Sequence, residues 1–265
     1  MKPTIGLALG SGGSRGFAHI GVLKVLKEHG VSIDYIAGSS MGALIGVLYG
    51  AGYEATMLEK MALQFRRKYL LDFTVPKMGF IKGDKAKQLI KMLVNQKKIE
   101  DLSPPVYVIT TDLMKGEKVI FKKGDIAQAV RASIAIPGIV VPETIDGKLY
   151  VDGGVVDRVP VSVVKEMGAD IIIAVDVSYV DEEPEITSIY DVIIQSMDIM
   201  EKEVMRHREI ETDIMIRPSL SHISSTQYSN VQEIIQSGEA EAEKHIEQLK
   251  KKIQNWKEKQ HDKKK

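Results

Sequence analysis

The first 52 residues contain the pattern that most limits what this chain can fold into. Twice, a short apolar segment runs into glycine and serine and then into a helical pattern: 4–10 precedes 17–30, and 34–40 precedes 41–52. Short apolar runs that end in glycine are typical of buried strands, and apolar residues three or four positions apart are typical of helices. Two such units in succession predict the start of a parallel α/β sheet in which the first two strands are neighbours.

The rest of the chain continues to alternate between strand and helix patterns. Strands are predicted over 105–113, 117–121, 147–154, 170–178 and 213–218, and helices over 54–69, 84–96, 125–135, 160–168 and about 186–210. A final amphipathic helix is predicted from the apolar stripe Ala242, Ile246, Leu249, Ile253 and Trp256. A length of 265 residues suits one large domain, and no linker stands out. We expect the main domain over 1–240, followed by this amphipathic helix and a lysine-rich tail over 241–265.

Composition narrows the classes of function. The chain has no cysteine, which excludes thiolate nucleophiles, disulfides and cysteine-based zinc sites. Its formal net charge is zero, so we expect no nucleic-acid partner. The apolar piece 5–9 is too short for the core of a signal peptide, and the apolar stretch 41–51 is too short to cross a bilayer. We therefore predict a soluble, cytoplasmic protein.

The C-terminal end concentrates positive charge. Residues 246–265 contain eight lysines against three acidic residues. Lysines near an anionic membrane contribute about 1 kcal/mol each, so peripheral contact with the inner membrane face is one interpretation. A solvated helix end is the other, and the absence of a flanking lipid anchor favours it.

The sequence Gly38-Ser39-Ser40-Met41-Gly42 places a serine between two glycines at the junction of a predicted strand and a predicted helix. A nucleophile elbow needs this context, because a sharp turn lifts the serine hydroxyl above the sheet. The helix that follows also directs its N-terminal N–H groups toward the serine. The five-residue pattern alone is common and also fits an ordinary turn, so the strand–turn–helix context is what makes Ser40 a candidate nucleophile.

The glycine-rich loop "GSGGSRG" (10–16) precedes the first helix. A dinucleotide-binding loop needs a third glycine where this chain has Arg15, and a phosphate-binding P-loop needs a Gly-Lys-Ser/Thr that is absent here. The remaining interpretation is a nest of backbone N–H donors for an anion beside a helix N-terminus. Beside Ser40, that anion is the tetrahedral oxyanion of acyl transfer.

The base that would activate Ser40 has two candidates. Among six histidines, His222 follows the last predicted strand, where an α/β-hydrolase places its catalytic histidine. Asp152 ends a predicted strand and is followed by two glycines, which puts a carboxylate at the edge of the sheet. Burial beside an apolar pocket raises the pKa of a carboxyl group and makes it a better base. An Asx turn is the ordinary alternative for Asp-Gly-Gly.

The motifs together resemble the patatin-like phospholipase family. They are "GSGGSRG" followed by "FAHIGVL", then "GSSMG", then "VRASIAIPGIVVP" (130–142), then "DGG", in that order. Each motif is weak alone, but the ordered set is specific. It extends from Ile5 to about Asp176 and is most similar to the compact bacterial members.

This resemblance implies a three-layer α/β/α sandwich with a mostly parallel central sheet, and hydrolysis of lipid acyl esters by a Ser–Asp dyad without a catalytic histidine. Carried onto this sequence, Ser40 is the nucleophile and Asp152 the base. Gly12 and Gly13 supply the N–H groups of an oxyanion hole. Arg15 either orients that loop or meets an anionic head group. The resemblance implies no metal and no cofactor.

Other interpretations stay open from the sequence. A Ser–Asp–His triad with His222 would make the protein a conventional α/β-hydrolase-like esterase. A regulatory protein that keeps the fold without catalysis is another possibility, and a nucleotide-binding protein that uses the glycine loop is a third. The apolar segment 69–83 either lines or covers an acyl groove, or is a packed connection between helices.

Overall fold

The two strand–turn–helix units at the N-terminus form the centre of the sheet. The computed structural model describes residues 2–69, 71–75, 77–178, 186–206, 211–225 and 228–262. The first strand (β1) and the second (β2) pair in parallel, with Leu9 opposite Gly38. The predicted adjacency of these two strands is therefore confirmed.

Within the described residues, the predicted strands and helices are present, generally shorter at their ends, and one short strand was not predicted. Positions 207–210 of the helix predicted over about 186–210 lie outside the described residues. The strands are β1 Ile5–Leu9, β2 Tyr35–Ser39, β3 Val106–Asp112, β4 Glu117–Phe121, β5 Glu143–Ile145, β6 Lys148–Asp152, β7 Ile171–Val175 and β8 Ile214–Ile216. The helices are α1 Ala18–Glu28, α2 Met41–Gly50, α3 Ala55–Gln64, α4 Asp84–Leu93, α5 Ile126–Ser133, α6 Val161–Glu166, α7 Ile189–Arg206 and α8 Val231–Asp262. The unpredicted strand is β5.

The sheet has a parallel half and an antiparallel half. Strands β8, β7, β1, β2 and β3 are parallel neighbours in that order, whereas β4 and β6 both pair antiparallel with β3, and β5 extends the sheet beyond β6. Helices cover the two faces of this mixed sheet, which gives the expected α/β architecture.

Strands β2 and β6 meet end to end along one edge of β3. The last residue of β2, Ser39, lies opposite Ile109 of β3. The last residue of β6, Asp152, lies opposite the next residue, Thr110. Because β4 occupies the other edge of β3 over the same residues, β2 and β6 share an edge. Their carboxyl ends therefore face each other, and this brings residues distant in sequence to one point.

The core lies mainly on one face of the sheet. Alternate residues of β1 and β7 pack there against α1, α2 and α8, and the opposite face packs on a smaller apolar cluster that includes α6. The predicted stripe of the C-terminal helix is buried at Ala242, Ile246 and Leu249. That helix, α8, begins at Val231, upstream of the domain boundary predicted at 240/241. No helix in the described ranges combines the length and apolar character that crossing a membrane requires.

Candidate active site

Ser40 occupies a strained turn between β2 and α2. Its backbone has φ +54° and ψ −121°, a conformation that costs a residue with a side chain on the order of 1–3 kcal/mol. Although Ser40 is the N-cap residue of α2, its side chain makes no capping hydrogen bond. The turn also passes very close to β1, since a Cβ at Gly42 would collide with the carbonyl oxygen of Leu9. The sharp turn predicted from the glycines is thus explained by close backbone approach.

Asp152 reaches Ser40 because β6 ends against β2. The Oγ of Ser40 donates a hydrogen bond to Oδ2 of Asp152 at 2.6 Å. The other carboxylate oxygen, Oδ1, accepts from the backbone N–H of Gly154 at 2.8 Å. The main chain of Asp152 is also held, since its carbonyl accepts from Thr111 Oγ1 at 2.8 Å. These bonds give the carboxylate one orientation, with Oδ2 toward the serine.

Burial changes the acidity of this carboxyl group. Asp152 is 4% exposed, and burial raises its pKa from the usual 3.8 to about 6. The hydrogen bonds from Ser40 and Gly154 and the positive charge of Arg158 act in the opposite direction and lower the pKa. At neutral pH the group is therefore ionised, but it is a stronger base than an aspartate in water.

Two further serines support the turn, and no pattern in the sequence indicated either of them. Ser133, at the end of α5, accepts a hydrogen bond from the backbone N–H of Ser40 at 2.8 Å and donates to the carbonyl of Ile109 at 2.6 Å. Ser11 donates from its Oγ to Oγ of Ser39 at 3.0 Å. Because the N–H of Ser40 is already used, it does not point into the site as an anion donor.

The glycine loop lies on the other side of Ser40. Gly12 and Gly13 line the same cavity as Ser40 and Asp152. Gly13 has φ +56°, and a Cβ there would collide with the carbonyl of Ser225. That carbonyl accepts the N–H of Ser14 at 2.9 Å. Within the described part of the chain, the N–H groups of Gly12 and Gly13 donate to no protein acceptor.

Arg15 is buried and is not among the residues that line the cavity. It is 4% exposed, and its Nε donates to the carbonyl of Ile223 at 2.7 Å. This bond joins the glycine loop to the segment between β8 and α8. Of the two roles expected for Arg15, its position supports orientation of the loop rather than contact with a head group.

An apolar cavity opens above Ser40 and Asp152. Its walls come from α2, from α5 and the residues after it, and from α7. The apolar side chains that line these walls and could contact an acyl chain include Met41, Leu44, Ile134, Ile139, Ile194 and Met197. The segment 69–83 contributes Leu71 and Ile81 to the same wall, so it lines the cavity, one of the two alternatives predicted for it. Such a mostly apolar cleft with a few polar groups is typical of a site for an apolar ligand.

Comparison with known proteins identifies the family to which these features belong. The family model for patatin-like phospholipases matches residues 7–165, more than half of the chain. The chain belongs to the patatin-like phospholipase family. The match includes the glycine loop, Ser40 and Asp152, and it confirms the resemblance predicted from the ordered motifs.

Relatives and solved structures agree with this assignment. An NTE family protein of Mycobacterium tuberculosis is 41% identical over 179 residues, which covers 67% of this chain and 50% of that protein. Lysophospholipase nte1 of Emericella nidulans is 28% identical over 282 residues, or 93% of this chain and 18% of that protein. VipD from Legionella pneumophila has a similar fold, with a TM-score of 0.63 at 14% identity over 92% of this chain and 66% of VipD. The chain thus spans half or less of the length of these two relatives.

Among the described residues of this patatin-like chain, no histidine lines the cavity that contains Ser40. His222 has a half-exposed side chain, and its Nε2 contacts Oε1 of Glu233 at 2.7 Å. His19 is fully buried, and its Nε2 must donate to the carbonyl of Gly10 because a carbonyl only accepts. Burial lowers the pKa of His19 to about 4, so it is neutral at physiological pH. His207 lies outside the described residues.

Arg158 and Asp198 form an ion pair at the patatin-like site that the sequence did not indicate. Arg158 lines the cavity, and its Nη2 donates to Oδ1 of Asp198 on α7 at 2.7 Å. Both side chains are mostly buried, at 10% and 17% exposure. Across the described ranges, no group of three or more acidic or histidine side chains is arranged to hold a metal ion.

Proposed function

We propose that this protein is a serine hydrolase that cleaves acyl esters of lipids, with Ser40 as nucleophile and Asp152 as general base. The observation that carries the proposal is the 2.6 Å hydrogen bond from Ser40 Oγ to Asp152 Oδ2 at the base of an apolar cavity. A nucleophile within hydrogen-bond reach of a base that is itself oriented by a third group is the arrangement expected for covalent catalysis. Membership of the patatin-like phospholipase family supports the same reaction class.

Acylation begins when Ser40 Oγ attacks the ester carbonyl carbon. The hydroxyl proton passes to Asp152 Oδ2 as the new C–O bond forms, and the carbonyl oxygen becomes an oxyanion. The N–H groups of Gly12 and Gly13 donate to this oxyanion. When the tetrahedral intermediate collapses, the bond to the leaving alcohol or lysolipid breaks, and the leaving oxygen takes the proton from Asp152.

Deacylation uses the same groups in the reverse order. A water molecule gives a proton to Asp152 as its oxygen attacks the acyl carbon. The second tetrahedral intermediate then expels Ser40 Oγ, which recovers the proton, and the fatty acid leaves. Each carboxylate proton transfer benefits from the raised pKa of Asp152, about 6, because a base is most effective when its pKa lies near the operating pH. No step requires a metal ion.

The positive end of α2 adds to the stabilisation of the oxyanion. Ser40 immediately precedes α2, and the first N–H groups of a helix carry partial positive charge. The substrate class follows from the wall of the cavity, which is mainly aliphatic and suits an acyl chain. Phospholipid, lysophospholipid and simple carboxylic esters are all consistent with it. A cytoplasmic location stays a prediction from the sequence.

The proposal is tested by labelling with a fluorophosphonate probe, which reacts only with an activated serine. We expect wild-type protein to be labelled and to hydrolyse p-nitrophenyl butyrate, and Ser40→Ala protein to do neither. Ser225→Ala is a matched control, because Ser225 also lines the cavity but is not bonded to Asp152; it should keep both activities.

Two outcomes would contradict the proposal. Equal turnover by wild-type and Ser40→Ala protein would exclude Ser40 as nucleophile. Absence of labelling in folded wild-type protein would favour a regulatory protein that keeps the fold. A triad is tested separately by the Asp152 and His222 variants described in the Discussion.

A further inference from the structure

Exposed apolar side chains concentrate in two segments of the surface. Among the described residues, nine of the fifteen large apolar side chains that are exposed belong to residues 69–83, here called the covering loop, or to residues 186–206, which contain α7. The most exposed in the covering loop are Phe73 and Val75, at 70% and 76%. The most exposed on α7 are Met200, Ile189 and Ile199, at 60%, 58% and 58%. Scattered single apolar residues are normal on a protein surface, but a cluster of this kind marks an interaction site.

The same two segments form the outer walls of the proposed active site. Leu71 and Ile81 of the covering loop face the cavity, as do Ile194 and Met197 of α7. The segments also touch, because the rings of Phe80 and Tyr190 lie 5.8 Å apart edge to face. Helix α7 is therefore apolar on both its inner and its outer side, whereas a helix that only covers a core is polar outside. The exposed patch is continuous with the mouth of the cavity.

The covering loop and its flanks also carry exposed positive charge. Arg66, Lys68, Lys77, Lys82 and Lys85 are exposed. Over 66–85 the exposed acidic side chain is Asp84, because Asp72 is partly buried and accepts from the backbone N–H of Gly83. Apolar side chains that alternate with lysine and arginine are typical of surfaces that insert into the head-group region of anionic lipid. The net charge of the whole chain is zero, so this positive charge is a local property.

The lysine-rich part of α8 lies near the amino ends of the parallel strands. Lys252 of α8 pairs with Asp213 at 3.0 Å, and Asp213 precedes the amino end of β8. Strand β8 runs parallel to β1 and β2. The amino end of β8 is therefore at the opposite end of the sheet from Ser40, which follows the carboxyl end of β2. A membrane bound by the lysines of α8 would therefore lie at the end of the sheet away from the cavity.

We propose that the covering loop and the outer side of α7 dock on an anionic lipid bilayer, with the mouth of the cavity against the membrane. In this orientation an acyl chain passes from the bilayer into the apolar cavity without crossing water. The proposal extends the proposed lipid hydrolysis to a membrane-bound substrate, but lipid binding itself does not depend on catalysis.

Vesicle co-sedimentation of Ser40→Ala protein tests this docking, because that variant leaves the lipid intact. Vesicles of phosphatidylcholine mixed with phosphatidylglycerol are compared with vesicles of phosphatidylcholine alone. In the Ser40→Ala background, Phe73→Ser with Val75→Ser should reduce binding to the anionic vesicles at least about tenfold, because two inserted apolar side chains are lost. Lys77→Glu should weaken binding to the anionic vesicles and shift its salt dependence.

The matched controls change side chains of similar exposure in other parts of the surface. Met92 and Met114 are 74% and 78% exposed and lie outside both segments, so Met92→Ser with Met114→Ser should bind as the parent does. Lys257→Glu with Lys259→Glu changes the tail and should also leave binding unchanged.

Several results would overturn the docking proposal. One is that the Ser40→Ala parent binds neither kind of vesicle. A second is that the Phe73/Val75 variant binds as tightly as the Met92/Met114 control. A third is that binding is lost only in the Lys257/Lys259 variant. Sedimentation velocity supplies a fourth: a dimer that dissociates in the Phe73/Val75 variant would assign this surface to a second copy of the chain. Failure of fluorophosphonate labelling, by contrast, would reject the proposed hydrolysis and leave the vesicle result intact.

Discussion

The floor and the cover of the cavity are built in different ways. The floor consists of Ser40 and Asp152, which lie where β2 and β6 end. Ser133, at the end of α5, supports them from below the surface, and buried hydrogen bonds of 2.6–2.8 Å fix all three residues. The cover consists of the covering loop and α7, whose inner side chains line the cavity and whose outer side chains are exposed. Catalytic groups must be positioned accurately where bonds form and break, and the buried hydrogen bonds of the floor provide this accuracy. The cover provides apolar surface, for which exact placement matters less.

The largest expected effect comes from the floor. Asp152→Asn is nearly isosteric, and its amide can accept from Gly154 N–H while donating to Ser40 Oγ, so the fold is retained. The base is lost, and we expect kcat/KM for a soluble ester to fall by about 10³-fold or more, since general base and nucleophile act as a unit. His222→Ala should leave the rate unchanged, because His222 contacts Glu233 at the surface. The reverse result, with His222 essential and Asp152 dispensable, would establish a triad in place of a dyad.

The oxyanion loop should show the next largest effect. A side chain at Gly13 meets both an unfavourable φ of +56° and the carbonyl of Ser225. Gly13→Ala must therefore displace the loop, and loss of one oxyanion donor lowers kcat by about 10²–10³-fold. Gly30→Ala is the control, because Gly30 has φ +69° but nothing within 4 Å of an added Cβ. Melting temperatures should fall in both variants, and kcat only in the first. A normal kcat in Gly13→Ala protein would remove this loop from the mechanism.

The features behind these two predictions differ in how far they could be predicted from the sequence. The turn at Ser40 and the glycine loop are local, so their residue types and their neighbouring strand and helix patterns were visible in the sequence. The contact of Ser40 with Asp152 was expected only through family resemblance. Its physical cause is the end-to-end meeting of β2 and β6 along β3, which is a matter of strand register. No periodicity within either segment reports that register.

The supporting residues were hidden for the same reason. Ser133 belongs to a helix pattern, and nothing in that pattern indicates that its hydroxyl bridges two strands. Strand β5 is short and only half-buried, so it lacks the apolar run by which a strand is recognised. The pair of Arg158 with Asp198 joins positions 40 residues apart on different elements. Each of these features depends on tertiary contacts.

Arg158 connects the floor to the cover, because it pairs with Asp198 of α7 and its charge acts on Asp152. Its substitution should have an intermediate effect on catalysis. Asp152 must be ionised to accept a proton, so kcat/KM should fall as the pH drops through about 6, the pKa of this group. The positive charge of Arg158 lowers that pKa. Arg158→Gln removes the charge, and the acid limb of the pH profile should therefore move to higher pH. Arg158→Lys keeps the charge and should keep the limb. An unchanged limb in Arg158→Gln protein would show that Asp152 does not titrate under its influence.

The cover should produce the smallest effect on soluble substrates, and an effect on selectivity more than on rate. Ile194 is half-buried and points from α7 into the cavity. Ile194→Ala removes apolar surface that would contact the distal part of an acyl chain, and one methylene in an apolar pocket contributes about 1–3 kcal/mol at most. We expect kcat/KM for a long-chain p-nitrophenyl ester to fall about tenfold relative to the butyrate ester, at the lower end of this range, because Ile194 is only half-buried. Ser196→Ala, on the exposed side of the same helix, should leave this ratio unchanged. If instead both esters are hydrolysed more slowly by the same factor, Ile194 positions the floor, and the separation between a fixed floor and a selective cover is wrong.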